Sequence, residues 1–435
     1  MSFFMVLVLS MPARAHIPVI YTATPDDDWC QIVADALGGD YIMLTPGDYV
    51  GPCDITAEVS KPEGEVTILQ SFDANNLARL VHDGVSDYIL RVSGPGVFNV
   101  LQVEFGPVPA GVDAVRVGDG NDLMVRYNTF SSGDGRGVVQ EGPVELLRVL
   151  DNRFVAPSGD PIVMDCPACG LGRFEVDGNV VEGGRGAIVV ASDAEGQVND
   201  NTIAEHEGTP LQLAVPAASV ERNFVEGMAD VEAAAVVNNI VVGDAVVAAD
   251  SVIHNDLLAA VDVSASGRVE ANVTLGVDLG SDNVSCDPSC FADLDARDYF
   301  PVDGSPLRGA APWSAEAPVD FCGNGRDDPT AAGAVEAIGT GFGPVEITYR
   351  ALANCRPDES TTETGGDTGA TDTPDGTGGS DTGSPATDAT TADLQVQDKK
   401  GCGCHTGPGA AHPTVPWLLA WGLPWGMVRR RSLRD

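Results

Sequence analysis

The sequence predicts an all-β protein, a solenoid of short parallel strands preceded by one short helix. Three observations predict it. First, a unit Val-x-x-Asn recurs eight times, at Val125/Asn128, Val149/Asn152, Val176/Asn179, Val198/Asn201, Val220/Asn223, Val236/Asn239, Val252/Asn255 and Val269/Asn272. Second, its flanks alternate apolar and polar residues, as in Phe174-Glu175-Val176-Asp177, which is the period of a strand. Third, no helical pattern of about ten or more residues separates the strands, so a doubly wound α/β fold is excluded. The Asn spacings are 24, 27, 22, 22, 16, 16 and 17, shorter than the roughly 40 residues of a propeller blade. A stack of coils held by contacts between neighbours remains.

The elements follow in order along the chain. Phe3 to Met11 is nearly all apolar and is followed by Ala13-Arg14-Ala15, a small-x-small site, so residues 1–15 read as a secretory signal peptide. Trp29, Ile32, Val33 and Leu37 stand at helical spacing. The repeat then fills the middle of the chain. Asn is a poor strand former, but it tolerates the left-handed region and satisfies turn backbone groups, so one Asn per unit marks a bend. If each unit is one coil, the Asn side chains stack about 4.8 Å apart and hydrogen-bond along the stack, with the Val residues forming an apolar ladder inside. The 16- and 17-residue spacings imply tight coils or coils with fewer strands. Residues 338–358 form a C-terminal extension. Residues 359–400 are dominated by Thr, Gly, Asp, Ser and Ala, a composition that cannot bury enough apolar surface to fold and reads as a self-repelling spacer. Residues 401–435 carry Cys402 and Cys404, an apolar run from Val415 to Val428 and Arg429-Arg430-Arg431. That run is short for a membrane span, and the basic cluster after it suits the cytoplasmic side.

Two resemblances add to this reading. The 22-residue spacing, the entry segment Gly38-Gly39-Asp40-Tyr41 to Pro46-Gly47-Asp48-Tyr49 behind an amphipathic helix, and the exit segments Arg297-Asp298-Tyr299-Phe300-Pro301, Gly304-Ser305-Pro306-Leu307, Gly323-Asn324-Gly325-Arg326 and Gly333-Ala334-Val335-Glu336 resemble right-handed parallel β-helix proteins of the pectate-lyase-like architecture. This resemblance implies a right-handed β-helix with caps over residues 16–337, strands from about residue 40 to 310, a short helix capping the core, and a groove of the kind that binds or cleaves polysaccharides. The order of spacer, Cys-Gly-Cys, apolar run and Arg cluster resembles the MYXO-CTERM class of C-terminal sorting tags. It implies an exported protein held at the cell surface or outer envelope, or released to the medium, with processing at Cys402 or Cys404 and membrane contact only through the tag.

Export would permit disulfides. The ten cysteines fall into close pairs, Cys30 with Cys53, Cys166 with Cys169, Cys286 with Cys290, Cys322 with Cys355 and Cys402 with Cys404, although spacing alone does not fix connectivity. Cys166-Pro167-Ala168-Cys169 has no second CxxC at zinc spacing and reads as a clip across a turn.

Acidic residues number 64 against 24 basic ones, a formal charge of −40, which excludes nucleic acid as a partner. Between residues 16 and 357 the only Lys is Lys61, so a Lys-based polysaccharide lyase is excluded. The Asn-Thr-Asp and Gly-His-Gly signatures of hydrolases of this architecture and a Gly-x-Ser-x-Gly elbow are also missing, and Asp-Asp occurs only at Asp26-Asp27-Asp28 and Asp327-Asp328, outside the repeat. One constellation offers chemistry. Glu182 and Arg185, Glu205-His206-Glu207, and Glu226 follow successive ladder Asn residues and fall on consecutive coils. A His between carboxylates would have a raised pKa, and Arg185 would hold a carboxylated sugar; the competing reading is a solvated loop face. No cofactor or dedicated metal site is expected. Gly118-Asp119-Gly120-Asn121-Asp122 and Ser132-Gly133-Asp134 offer oxygen ligands that would suit calcium alone. The expectation is a monomeric, non-catalytic module binding a polysaccharide or a partner. The alternatives are a divergent carbohydrate-active enzyme, a polysaccharide lyase or glycoside hydrolase, and a structural surface rod.

Overall fold

The computed structural model describes residues 18–57, 66–120, 122–166 and 169–336. The predicted signal peptide, Cys355, spacer and C-terminal tag lie outside the described residues.

The chain winds into a parallel β-helix, as expected. In the wider coils it lays down three strands in turn. The first face runs through Tyr41–Leu44, Val66–Ser71, Val97–Leu101, Asp122–Arg126, Val144–Leu150, Leu171–Asp177 and Glu195–Asn199, each paired in parallel with the next. The second face is a ladder of twelve short strands from Gly47–Val50 to Val284–Cys286. The third face runs from Cys53–Thr56 to Ile188–Ala191. Every registered pair in these faces is parallel; the one antiparallel strand pair joins Phe291–Asp293 to Asp298–Pro301 beyond the solenoid.

The narrower coils arise by fusion. From Leu211 onward the third and first faces merge into single long strands, Leu211–Glu221, Ala229–Val237, Ala245–Ile253 and Val261–Glu270. The turn that separates the faces in earlier coils becomes a bend within a strand, and the register shifts there between Val215 and Ser219. A coil that drops a turn needs fewer residues, which accounts for the spacings of 16 and 17.

Strand alternation sends one apolar set inward. Val100, Val125, Val149, Val176, Val198, Val220, Val236 and Val252 pair successively across the first face and are buried. On the second face Phe105, Phe130 and Phe154 stack with centroids 4.7 and 4.5 Å apart.

The corner between the first and second faces holds the asparagines. Asn128, Asn152, Asn179, Asn201, Asn223, Asn239, Asn255 and Asn272 are all buried. Each donates its Nδ2 to the Oδ1 of the next at 2.8–3.0 Å. The same Oδ1 accepts the backbone N–H of the preceding Asn, as in Asn152 N to Asn179 Oδ1 at 3.1 Å. Nδ2 also reaches a Val carbonyl on the coil before, as from Asn201 to Val176 at 2.9 Å. Asn283 extends the column by one, although no Val-x-x-Asn precedes it. One expectation needs correction. The left-handed residue is not the ladder Asn but the one before it: Tyr127, Asp151, Gly178, Asp200, Arg222, Asn238, His254 and Ala271 have φ between 52° and 69°. The strain sits on the residue before each ladder Asn, which leaves the Asn side chain pointing into the buried corner.

The N-terminal helix spans Trp29–Asp35, with the Asp28 side chain accepting from the Gln31 N–H at its start. Trp29 and Val33 enter the core, while Leu37 lies past the helix and is partly exposed. A disulfide from Cys30 to Cys53 ties the helix to the first strand of the third face. Cys166–Cys169 and Cys286–Cys290 are also bonded. Cys322 is disulfide-bonded, and Cys355, its expected partner, lies outside the described residues.

Candidate functional site

The loops that leave the second face carry the residues singled out from the sequence. Val180–Glu182 pairs with Thr202–Ala204, so Glu182 stands level with Ala204. Beyond these strands the loops continue to stack. The Gly183 N–H donates to the Ala204 carbonyl, the Glu207 N–H to Gly184 and the Glu226 N–H to Ile203. Glu182, Arg185, Glu205, His206, Glu207 and Glu226 therefore share one side of neighbouring coils.

Glycines allow this close stacking. A Cβ on Gly186 would lie 1.9 Å from the Gly159 carbonyl oxygen, and one on Gly159 would lie 2.3 Å from that of Gly135. Only a residue without a side chain fits between these turns.

The charges in the patch are matched. Arg153 pairs with Glu182 at 2.5 Å, and Arg185 pairs with Glu207 at 2.8 Å. Arg297 grips Glu226 through two hydrogen bonds of 2.5 and 3.0 Å and lies 3.8 Å from Glu205. Glu226 also accepts the Glu205 N–H at 2.7 Å. His206 is held differently from the expectation. Its Nε2 is 2.7 Å from the Gly186 carbonyl oxygen. Burial is the strongest influence and lowers its pKa, outweighing the Gly186 carbonyl and Glu207, which act in the opposite direction. A raised His206 pKa is therefore corrected to a lowered one, and the ring is uncharged at neutral pH.

A second polar cluster, not apparent from the sequence, covers the outside of the third face. Register brings Asp54 beside Arg91 and Arg91 beside Arg116, with Tyr88, Asp113 and Arg136 in the adjoining column. Asp113 is fully buried and joins Arg116 and Arg136 at 2.8 Å each. Arg91 pairs with Glu141 at 2.8 Å. Tyr88 donates to Asp54 at 2.5 Å, and burial first, then this carboxylate, push its hydroxyl up to about 12. Three arginines and their carboxylates neutralise one another here, so the cluster offers no uncompensated cation.

The bend between the third and first faces forms an open trough. Three hollows follow one another along it, of about 480, 380 and 480 Å³. Their floor is small: Ala191, Ala214, Ala218, Ala234 and Ala248. Their walls carry Gln140, Ser192, Asp193, Arg173, Gln197, Ser219, Glu232 and Asp250. Ala191, Ala214, Glu232, Ala248 and Ser264 stand in register across five strands, a run of about 19 Å at the usual spacing. Arg173 is exposed on this wall and is the one arginine among the described residues outside every ion pair. The sequence does not reveal this, because which arginine stays unpaired depends on the neighbour that coil register provides.

Among the described residues no group of three or more His, Cys, Asp or Glu side chains is placed to hold a metal ion, and no helix is long and apolar enough to cross a membrane. No known protein family matches this chain, and no curated protein does either.

Proposed function

We propose that this β-helix is an exported, surface-held module that binds an extended polymer, a glycan chain, along the trough without turning it over. The trough is the observation that carries this reading: it is long, open, floored by small residues, and walled by amides, hydroxyls and one unpaired guanidinium. A sugar chain offers hydroxyls at regular intervals, and such a wall meets them with donors and acceptors. Carboxylates at Asp193, Glu232 and Asp250 favour a neutral or amino sugar over a polyuronate, by like-charge repulsion. The carboxylates of the loop patch are each engaged by an arginine, which supports binding over acid–base turnover. The predicted signal sequence and tag support export and retention at the surface.

The test is a glycan array with the secreted protein, alongside a reducing-sugar and uronate-product assay. Retention of a glycan without product, reduced at least tenfold by Arg173→Ala, is expected. Turnover that is lost in Glu205→Gln or His206→Ala would instead establish the alternative, a divergent carbohydrate-active enzyme. Neither retention nor turnover would leave the structural rod.

A further inference from the structure

The exit segment Gly323-Asn324-Gly325-Arg326 forms a turn in which one asparagine is treated unlike all those of the ladder. Val319 and Gly325 bridge antiparallel across it, and the Asp320 N–H donates to the Asn324 carbonyl at 2.8 Å. Asp320 is buried, and its carboxylate accepts three N–H groups: Asn324 N at 2.7 Å, Asn324 Nδ2 at 3.2 Å and Glu336 N at 2.9 Å. The Asn324 carboxamide is thus part of the clasp that fastens Glu336 to this turn. Phe321 and Arg326 on either side are buried, whereas Asn324 is half-buried and Gly325 is exposed.

Asn324-Gly325 is the only Asn-Gly step in the sequence. Asn is a labile side chain, because the peptide nitrogen of the next residue can attack its Cγ, so the freedom of that nitrogen decides its fate. In the ladder that nitrogen is spent. The residue after each ladder Asn gives its N–H to a carbonyl on the coil before, as Thr129 does to Val103 at 3.0 Å and Val180 to Asn152 at 2.8 Å. Among the described residues the Gly325 N–H meets no acceptor. A Cβ built on Gly325 would find nothing within 4 Å, and its φ is not left-handed, so the nitrogen stands in open space.

We propose that Asn324 is a self-modification site, at which the chain's own backbone turns the carboxamide into a carboxylate. The Gly325 nitrogen bonds to Asn324 Cγ, and its proton passes through water to Nδ2, which leaves as ammonia when the Cγ–Nδ2 bond breaks. A water molecule then opens the five-membered imide at either carbonyl, leaving aspartate or isoaspartate at position 324. The product acts on the clasp. A donor to Asp320 is replaced by an anion in the same place, beside a buried carboxylate that depends on its N–H partners. Isoaspartate also lengthens the main chain by one carbon, so Asn324 N and its carbonyl no longer match Asp320. The hold on Glu336 weakens, and Arg326, which reaches across to Asn238 Oδ1 at 2.7 Å, loses the turn that positions it.

Peptide mapping of the full secreted chain, kept folded at neutral pH, tests this. The peptide that holds Asn324 gains the mass difference between amide and acid, and becomes a substrate for an isoaspartate methyltransferase, at least tenfold faster than any peptide that holds a ladder Asn. Gly325→Ala, which the open space admits, slows that gain at least tenfold and leaves the urea midpoint unchanged. Conversion of Asn324 in urea but not in the folded chain overturns the proposal, as does an equal rate in Gly325→Ala. Asn324→Asp reads the consequence by hydrogen–deuterium exchange. The Thr330 and Gly333 amides, bonded to the Ala311 and Ala271 carbonyls, exchange at least tenfold faster than in the wild type; unchanged exchange there overturns the effect on the clasp.

Discussion

At the scale of a residue, the ladder asparagine is the most constrained position in the molecule. Asn201 donates to Asn223 Oδ1, Val176 O and Asn199 O, and its Oδ1 accepts from both nitrogens of Asn179. All of these groups are out of reach of water, so removing the amide strands several at once. Asn201→Ala should lower unfolding free energy by about 1–3 kcal/mol, read as a shifted urea midpoint; an unchanged midpoint would mean that the corner is hydrated. This position is legible in the sequence because no other side chain pairs a donor with an acceptor at that length and leaves the same corner closed. Asn283 was not legible, since Leu279-Gly280-Ser281-Asp282 precedes it in place of the Val-x-x unit. His206 was misread for a related reason: flanking carboxylates are visible in a sequence, and burial against the Gly186 turn is not.

At the scale of an element, the loops between the second and third faces are fixed by what stacks on them. Gly135, Gly159 and Gly186 occupy neighbouring coils where the next turn leaves no room for a Cβ. Gly186→Ala must push backbone against backbone and should cost on the order of 1–3 kcal/mol, and because His206 rests on the Gly186 carbonyl, its imidazole NMR shifts should move as well. A mutant with wild-type stability and imidazole shifts would show that the turns slide apart easily. The strands were legible from their alternation. The fusion of two faces into Leu211–Glu221 and its successors was not, because Pro216-Ala217-Ala218 and Ala233-Ala234-Ala235 carry no period to show where a face ends. The trough lies along this bend, so the candidate site was less legible than the scaffold that holds it.

At the scale of the whole molecule, the C-terminal segment straps the ladder corner. Arg326 is buried and donates to Asn238 Oδ1 at 2.7 Å and to the carbonyls of Gly333 and Ala334 at 2.9 and 3.0 Å, while Gly333 N–H reaches the Ala271 carbonyl. Beneath the strap lie His254 and Asp256. Burial first, then the Arg326 charge, hold His254 down to about 3; burial pushes Asp256 up to about 7 against the pull of the Ala334 amide and Arg326. The unfolded chain binds the His254 proton below its ordinary value near 6.5, so that stabilisation is complete above 6.5 and is lost as pH falls toward 3. The folded chain holds the Asp256 proton, so that stabilisation is complete below about 4 and is lost as pH rises through 7. Between about pH 4 and 6.5 the two slopes oppose each other. Asp256→Asn removes only the second, so its stability minus that of the wild type should grow as pH rises from 4 to 7 in urea titrations; a constant difference would mean that Asp256 is ionised throughout. The corner under this strap has one more consequence. Successive ladder residues are separated by as many as 27 positions and as few as 11, yet each amide meets the next. The asparagine therefore acts as punctuation that counts turns of the chain and ignores how much text each turn contains, which leaves the outer loops free to lengthen or shorten without putting the rest of the molecule out of phase.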